Sequence, residues 1–121
     1  MSSLAAMSLL IEATSPSTLA NFWANVFGVS VDPGSGPDLA SLTVSAKTPQ
    51  LVFERTDEPK TTPNRVVLRL VTDNFKSHLR QLDRMGVQYS LDMTDAGRAR
   101  LQDLEGNEFE LFARTPQAPT V

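Results

Sequence analysis

SPSTLANFWANVFG, Ser15 to Gly28, and DNFKSHLRQLDRMG, Asp73 to Gly86, decide the fold between them. In the first stretch Leu19, Phe22, Trp23, Val26 and Phe27 recur at i, i+3, i+4, i+7 and i+8, which lines one face of a helix with apolar groups. Ser15 is placed to cap that helix, Pro16 suits its first turn, where no amide donor is needed, and Gly28 ends it. In the second stretch Phe75, Leu79, Leu82 and Met85 share a face, Asp73 or Asn74 caps it, and Gly86 closes it. Ser15 to Asp73 and Gly28 to Gly86 span the same interval of 58 residues, so cap and closing glycine repeat in register. That repetition argues for an internal duplication.

Working outward, each helix has a strand before it and short strands after it. Met7 to Ala13 runs or alternates apolar up to the first cap; Val29–Val31, Leu39–Ser45 and Gln50–Glu54 follow, separated by turn-forming residues. The segment RTDEPKTTPN, residues 55–64, is charged, holds two prolines and has no periodicity, which is how a linker reads. Then the order restarts. Arg65–Val71 is a strand; after the second helix come Val87–Leu91, Ala99–Gln102 and Glu108–Phe112, with Asp103 to Gly106 as a hairpin turn. The expected class is α+β, with two βαβββ modules over residues 7–54 and 65–113, a linker at 55–64 and a loose tail at 114–121.

Composition limits what such a chain does. At 121 residues it supports one domain. A net charge of -3, with the cations scattered along the sequence, disfavours nucleic acid as a partner. The absence of cysteine removes disulfides, thiolate nucleophiles and cysteine-bound metals, and fits a cytoplasmic protein. Leu4 to Ile11 is apolar, but no Lys or Arg precedes it and Glu12 interrupts it, so it reads as a strand rather than a signal peptide. No stretch is long enough to span a membrane.

Side chains alternate across a sheet, which sorts the strand residues into two faces. Leu9, Ile11, Leu51, Phe53, Val66, Leu68, Leu70, Phe109 and Leu111 form the face expected to pack the helices. The opposite face carries Ser8, Leu10 and Glu12; Gln50, Val52 and Glu54; Arg65, Val67 and Arg69; and Glu108, Glu110 and Phe112. Arg69 and Glu110 have two readings: a pair that orients a ligand through charge-assisted hydrogen bonds, or a solvated salt bridge. Arg98, Arg100 and Gln102 form the polar side of another strand, suited either to an anionic group or simply to water. Trp23 and Tyr89 fall at core parity, Phe112 at the parity of the mixed face, and His78 on a helix as a partly exposed residue.

LANFWANVFG (19–28), NRVVLRLVTDNF (64–75) and LQDLEGNEFELF (101–112) together resemble the glyoxalase/bleomycin-resistance/dioxygenase, or vicinal-oxygen-chelate, superfamily over nearly the whole chain. The last segment is similar to the family's turn followed by an alternating strand, with Leu104 where proline is usual. The resemblance implies a U-shaped mixed sheet with helices on its outer face, and a cleft formed by the mixed face. It also implies metal-ligand positions at Ser8, Val52, Val67 and Glu110. Two valines and a serine cannot complete a site needing about three N or O donors, and shifting the register by one substitutes Leu9, Leu51, Leu68 and Phe109. No metal and no cofactor are expected.

The resulting expectation is a metal-free, bleomycin-resistance-like homodimer that binds a drug or metabolite in its cleft. Ser8, Glu12, Val52, Glu54, Arg65, Val67, Arg69, Glu108, Glu110 and Phe112 are its candidate contacts. The alternative is a lyase or isomerase using Glu110 as general base, which requires a carboxyl with raised pKa. A third reading is an interaction module docking through a sheet edge or helix stripe.

Overall fold

Pro16–Phe27 forms helix α1 where the apolar stripe requires it, after strand β1, Ser8–Ala13. The computed structural model describes residues 4–63, 65–91 and 97–114, with the backbone alone for Leu91. Residues 115–121, most of the expected tail, and Asn64 of the expected linker lie outside the described residues. The chain divides into two units, Met1–Pro59 and Lys60–Val121.

In the first unit, β2 (Leu39–Leu42) and β3 (Gln50–Arg55) join β1 in a sheet of order β1-β3-β2. β1 runs parallel to β3, a pairing that needs a crossover, and α1 supplies it. The register sets Ile11 and Ala40 opposite Phe53, and Leu9 and Leu42 opposite Leu51. Those side chains share the face that α1 covers. Leu19, Ala20, Phe22, Trp23 and Ala24 are buried from the helix, and Ala40, Leu42, Leu51 and Phe53 from the sheet. Trp23 meets Phe22 edge-on at 5.3 Å and stacks on Phe27 at 5.9 Å, so it belongs to the core as expected.

The second unit repeats the plan. β4 (Leu68–Thr72), α2 (Phe75–Arg84), β5 (Tyr89–Leu91), β6 (Arg98–Gln102) and β7 (Glu108–Ala113) give a sheet of order β4-β7-β6-β5. Again the first strand lies parallel to the last. Phe109 stands opposite Leu68 and Leu101, and Leu111 opposite Leu70 and Ala99. Of these, Phe109, Leu111, Leu101 and Ala99 are buried, as are Leu82 and Val87. Each helix ends in a left-handed glycine, Gly28 at φ 72° and Gly86 at φ 83°, a conformation that a side chain would strain.

Four expectations change on contact with the structure. Val29–Val31 is not a strand: only Val31 bridges, to Leu42, because Pro33 and Gly34 turn the chain away at once. That single bridge occupies the place that β5 fills in the second unit. β4 begins at Leu68 rather than Arg65, so Arg65 and Val66 are exposed and Val66 is not a core residue. Continuing the register would set them against Gly106 and Asn107, inside the turn before β7, where there is no strand to pair with. Tyr89 is 40% exposed, on β5, the edge strand of its sheet.

The fourth change concerns the caps. Ser15 occupies the N-cap of α1 but makes no side-chain capping bond, whereas at α2 Asn74, one of the two expected candidates, accepts from the Ser77 amide. Replacing Asn74 by Ala is therefore expected to cost about 0.5–1 kcal/mol in a urea denaturation curve. An unchanged midpoint would show that the 3.4 Å bond contributes nothing.

The turn between β6 and β7 is held by Asp103, which is buried. Its Oδ1 accepts from the amides of Glu105 and Asn107 at 2.9 and 3.0 Å, and its Oδ2 from Asn107 Nδ2 at 3.0 Å. This fixes where β7 starts, and hence which of its residues face which way.

Candidate functional site

β7 is flanked on both sides, by β4 and by β6, so a side chain at its centre is covered by neighbours on either hand. Glu110 is that side chain on the face turned away from α2. Arg69 of β4 and Arg100 of β6 stand directly opposite it, and Glu110 is only 5% exposed. Arg69 Nε donates to Glu110 Oε1 at 3.1 Å. Arg98 Nη2 donates to Oε2 at 3.0 Å, and Arg100 Nε lies 3.1 Å from the same oxygen. Both oxygens are thus held by guanidinium groups.

Burial alone would push the Glu110 pKa up; the hydrogen bond and charge of Arg98, with contributions from Arg69 and Arg100, outweigh it and hold the carboxyl below its usual value. The alternative of Glu110 as general base requires the opposite shift. An ionised carboxylate committed to three cations is a poor proton acceptor.

In the next row Val71, Phe112 and Arg98 lie side by side across β4, β7 and β6. The Arg69 guanidinium carbon is 4.5 Å from the Phe112 ring centroid, and that of Arg98 is 5.4 Å away. Both are within cation–π range, so the ring helps fix the cations that pair with Glu110. Glu108, one step the other way, pairs with Lys60 at 3.2 Å. Arg65 lies outside this array, exposed ahead of β4; Val67 is half-buried at its edge.

The corresponding face of the first unit carries Ser8 opposite Gln50, Leu10 opposite Val52 and Glu12 opposite Glu54. Leu10 is 52% exposed, and Glu12 and Glu54 are both exposed. At the polar end Asp32 Oδ2 accepts from Gln50 Nε2 at 2.8 Å, Ser41 Oγ at 2.9 Å and Thr43 Oγ1 at 3.2 Å. The Gln50 bond, aided by Ser41 and Thr43 against some burial, lowers the Asp32 pKa. Asp32 escaped the sequence reading, since it lies in the turn after α1 and no periodicity marks it.

His78 is half-buried on α2, with Nδ1 2.7 Å from Thr72 Oγ1 and 3.2 Å from the Asn74 carbonyl. It serves the entry to the helix. Among the described residues no helix is long and apolar enough to cross a membrane.

The model of the glyoxalase-like domain matches residues 8–112, from the start of β1 to the end of the arginine-bearing face. The chain belongs to the glyoxalase-like domain family. No curated protein matches it in sequence. Solved structures do match in fold. Oxidase ChaP-H1 superposes with a TM-score of 0.71 at 17% identity, covering 93% of this chain and 97% of that one. Lactoylglutathione lyase from Agrobacterium tumefaciens gives 0.63 at 12% identity, with 90% and 92% covered. A mutant of the fosfomycin resistance protein FosX from Listeria monocytogenes, complexed with manganese(II) and 1S,2S-dihydroxypropylphosphonic acid, gives 0.67 at 15% identity, with 96% and 93% covered. At these identities the likeness is one of fold.

The metal expected of many glyoxalase-like enzymes does not fit the donors present. Of the four positions implied by resemblance, Val52 and Val67 offer no lone pair, Ser8 is a weak neutral donor, and Glu110 already has a guanidinium on each oxygen. Among the described residues no group of three or more His, Asp or Glu side chains is arranged to hold a metal ion.

Proposed function

We propose that this glyoxalase-like protein binds a small organic molecule, a drug or metabolite, on the mixed faces of its sheets without a protein-held metal. The observation that supports this most is the state of Glu110. The only carboxylate at the four ligand positions is buried, ionised and saturated by Arg69, Arg98 and Arg100, which leaves it a structural counter-ion rather than a Lewis base or proton acceptor. Phe112, Val71 and the aliphatic stems of the arginines then offer apolar surface beside fixed donors, the combination that small-molecule sites use. Val67, Arg69, Glu108, Glu110 and Phe112 are the proposed contacts on the second unit, and Ser8, Glu12, Val52 and Glu54 a separate set on the mixed face of the first. A cytoplasmic homodimer belongs to the same proposal.

Metal analysis of the purified protein is expected to find no stoichiometric zinc, nickel, manganese or iron; one equivalent of any of them would overturn the proposal. A thermal-shift screen with bleomycin-type glycopeptides, aromatic metabolites and α-keto compounds is expected to yield a stabilising ligand. At a hundredfold excess over Kd the gain is about 2.7 kcal/mol. Gel filtration with light scattering reports the dimer.

A further inference from the structure

The second sheet gathers its positive charge at one place on its open face. Arg69, Arg98 and Arg100 all pair with Glu110, while Lys60 pairs with Glu108. In a chain of net charge -3, three arginines thus gather around one carboxylate on this face. Exposed arginines normally diverge into solvent to reduce repulsion. Here they converge, because the buried carboxylate and the Phe112 ring hold them together.

The attachment also leaves the useful part of the group outward. Arg69 spends its Nε on Glu110, so its terminal Nη pair, the half of the guanidinium that forks onto two oxygens at once, is not used by the carboxylate. Arg100 likewise approaches Glu110 through Nε. Their side chains are 63% and 58% exposed. A carboxylate has no more than about four lone-pair positions, against five N–H donors on each arginine, so Glu110 cannot use every donor of Arg69 and Arg100. The Nη donors of Arg69 and Arg100 are oriented before any ligand arrives, which reduces the ordering cost of binding.

We infer that Glu110, at the position where resemblance implies a metal ligand, instead anchors an oxyanion site: the Nη groups of Arg69 and Arg100, backed by Arg98, take the carboxylate, phosphonate or phosphate group of a ligand whose flat apolar body lies along Phe112 and Val71. This rests on the proposal above that a small molecule binds this face, and narrows its chemistry. The site replaces attraction for a cation with attraction for an anion by surrounding one carboxylate with three opposite charges.

The test titrates the full chain, at fixed ionic strength, with inorganic phosphate, benzoate, phenylphosphonate and the neutral benzamide, by calorimetry and thermal shift. Phenylphosphonate and benzoate are expected to bind at least tenfold more tightly than benzamide, and phosphate more weakly than phenylphosphonate because it lacks a ring. Arg69→Ala and Arg100→Ala should each weaken the anions at least tenfold, and Arg69→Lys should recover only part of the loss, since an ammonium cannot fork. Both arginines are more than half exposed, so these variants are expected to fold normally, which circular dichroism verifies. Equal binding of benzamide and benzoate would overturn the oxyanion site and leave the small-molecule reading standing. Binding of no anion, alongside a neutral or cationic hit in the wider screen, would do the same; anion binding unaffected by either alanine variant would place the site elsewhere and also overturn it.

Discussion

Replacing Glu110 by Gln is expected to lower the unfolding free energy by about 2 kcal/mol at pH 7, in line with the loss of charge-assisted hydrogen bonds to a buried group. The figure stays well below that for a fully buried ion pair, because Arg69 and Arg100 are more than half exposed and can rehydrate. The change also removes the counter-ion that Arg69, Arg98 and Arg100 share. Its pH dependence has a definite sign. Since the folded-state pKa of Glu110 lies below 4.5, the stabilisation is fully present above that value and is lost as pH falls through the lower folded-state value. The gap between wild type and E110Q should therefore stay constant from neutrality down to about pH 5 and close as the solution becomes more acid. Urea denaturation of both proteins across that range measures it. A gap that widened on acidification would mean that the carboxyl is protonated more readily in the folded state, as the general-base reading requires.

What could be read in advance follows from the range of the interactions involved. α1 and α2 announce themselves because the periodicity of Leu19 to Phe27 and Phe75 to Leu82 is local, and the repetition of cap and glycine ties the two halves together. Strand parity likewise places Arg69, Glu110 and Phe112 on one face without reference to the rest of the fold. Where β4 begins is a different matter. Arg65 and Val66 have good strand residues around them, yet they remain unpaired because β7, 41 positions further on in register, has not yet begun. The convergence of Arg98 and Arg100 on Glu110 was hidden for the same reason: it depends on β6 meeting β7 with Arg100 opposite Glu110. One residue of slip would turn both arginines to the helix side. The Asp103 turn sets that register, and its hydrogen bonds involve groups whose significance is visible only once the chain has closed on itself.

Phe109→Ala is expected to have the largest effect of any single change near the site, about 3–5 kcal/mol, the usual cost of removing a buried aromatic ring. Phe109 is 1% exposed and lies opposite both Leu68 and Leu101, at the centre of the face that the sheet buries. A domain of this length has roughly 5–15 kcal/mol of stability in all, which makes the variant marginal. Phe109→Leu, which keeps most of the volume, should cost about 1.5 kcal/mol or less. Val71→Ala, on the open face and 55% exposed, should change stability by no more than about 0.5 kcal/mol. Thermal and urea unfolding of the three variants check this ranking. The comparison matters for function because Glu108 and Glu110 flank Phe109 in sequence and point the other way. The ring on one side of β7 determines how rigidly the carboxylates on the other side are held. If Phe109→Ala cost no more than Val71→Ala, β7 would not be the packed spine of this sheet, and the fixed placement of the arginines around Glu110 would have no mechanical basis.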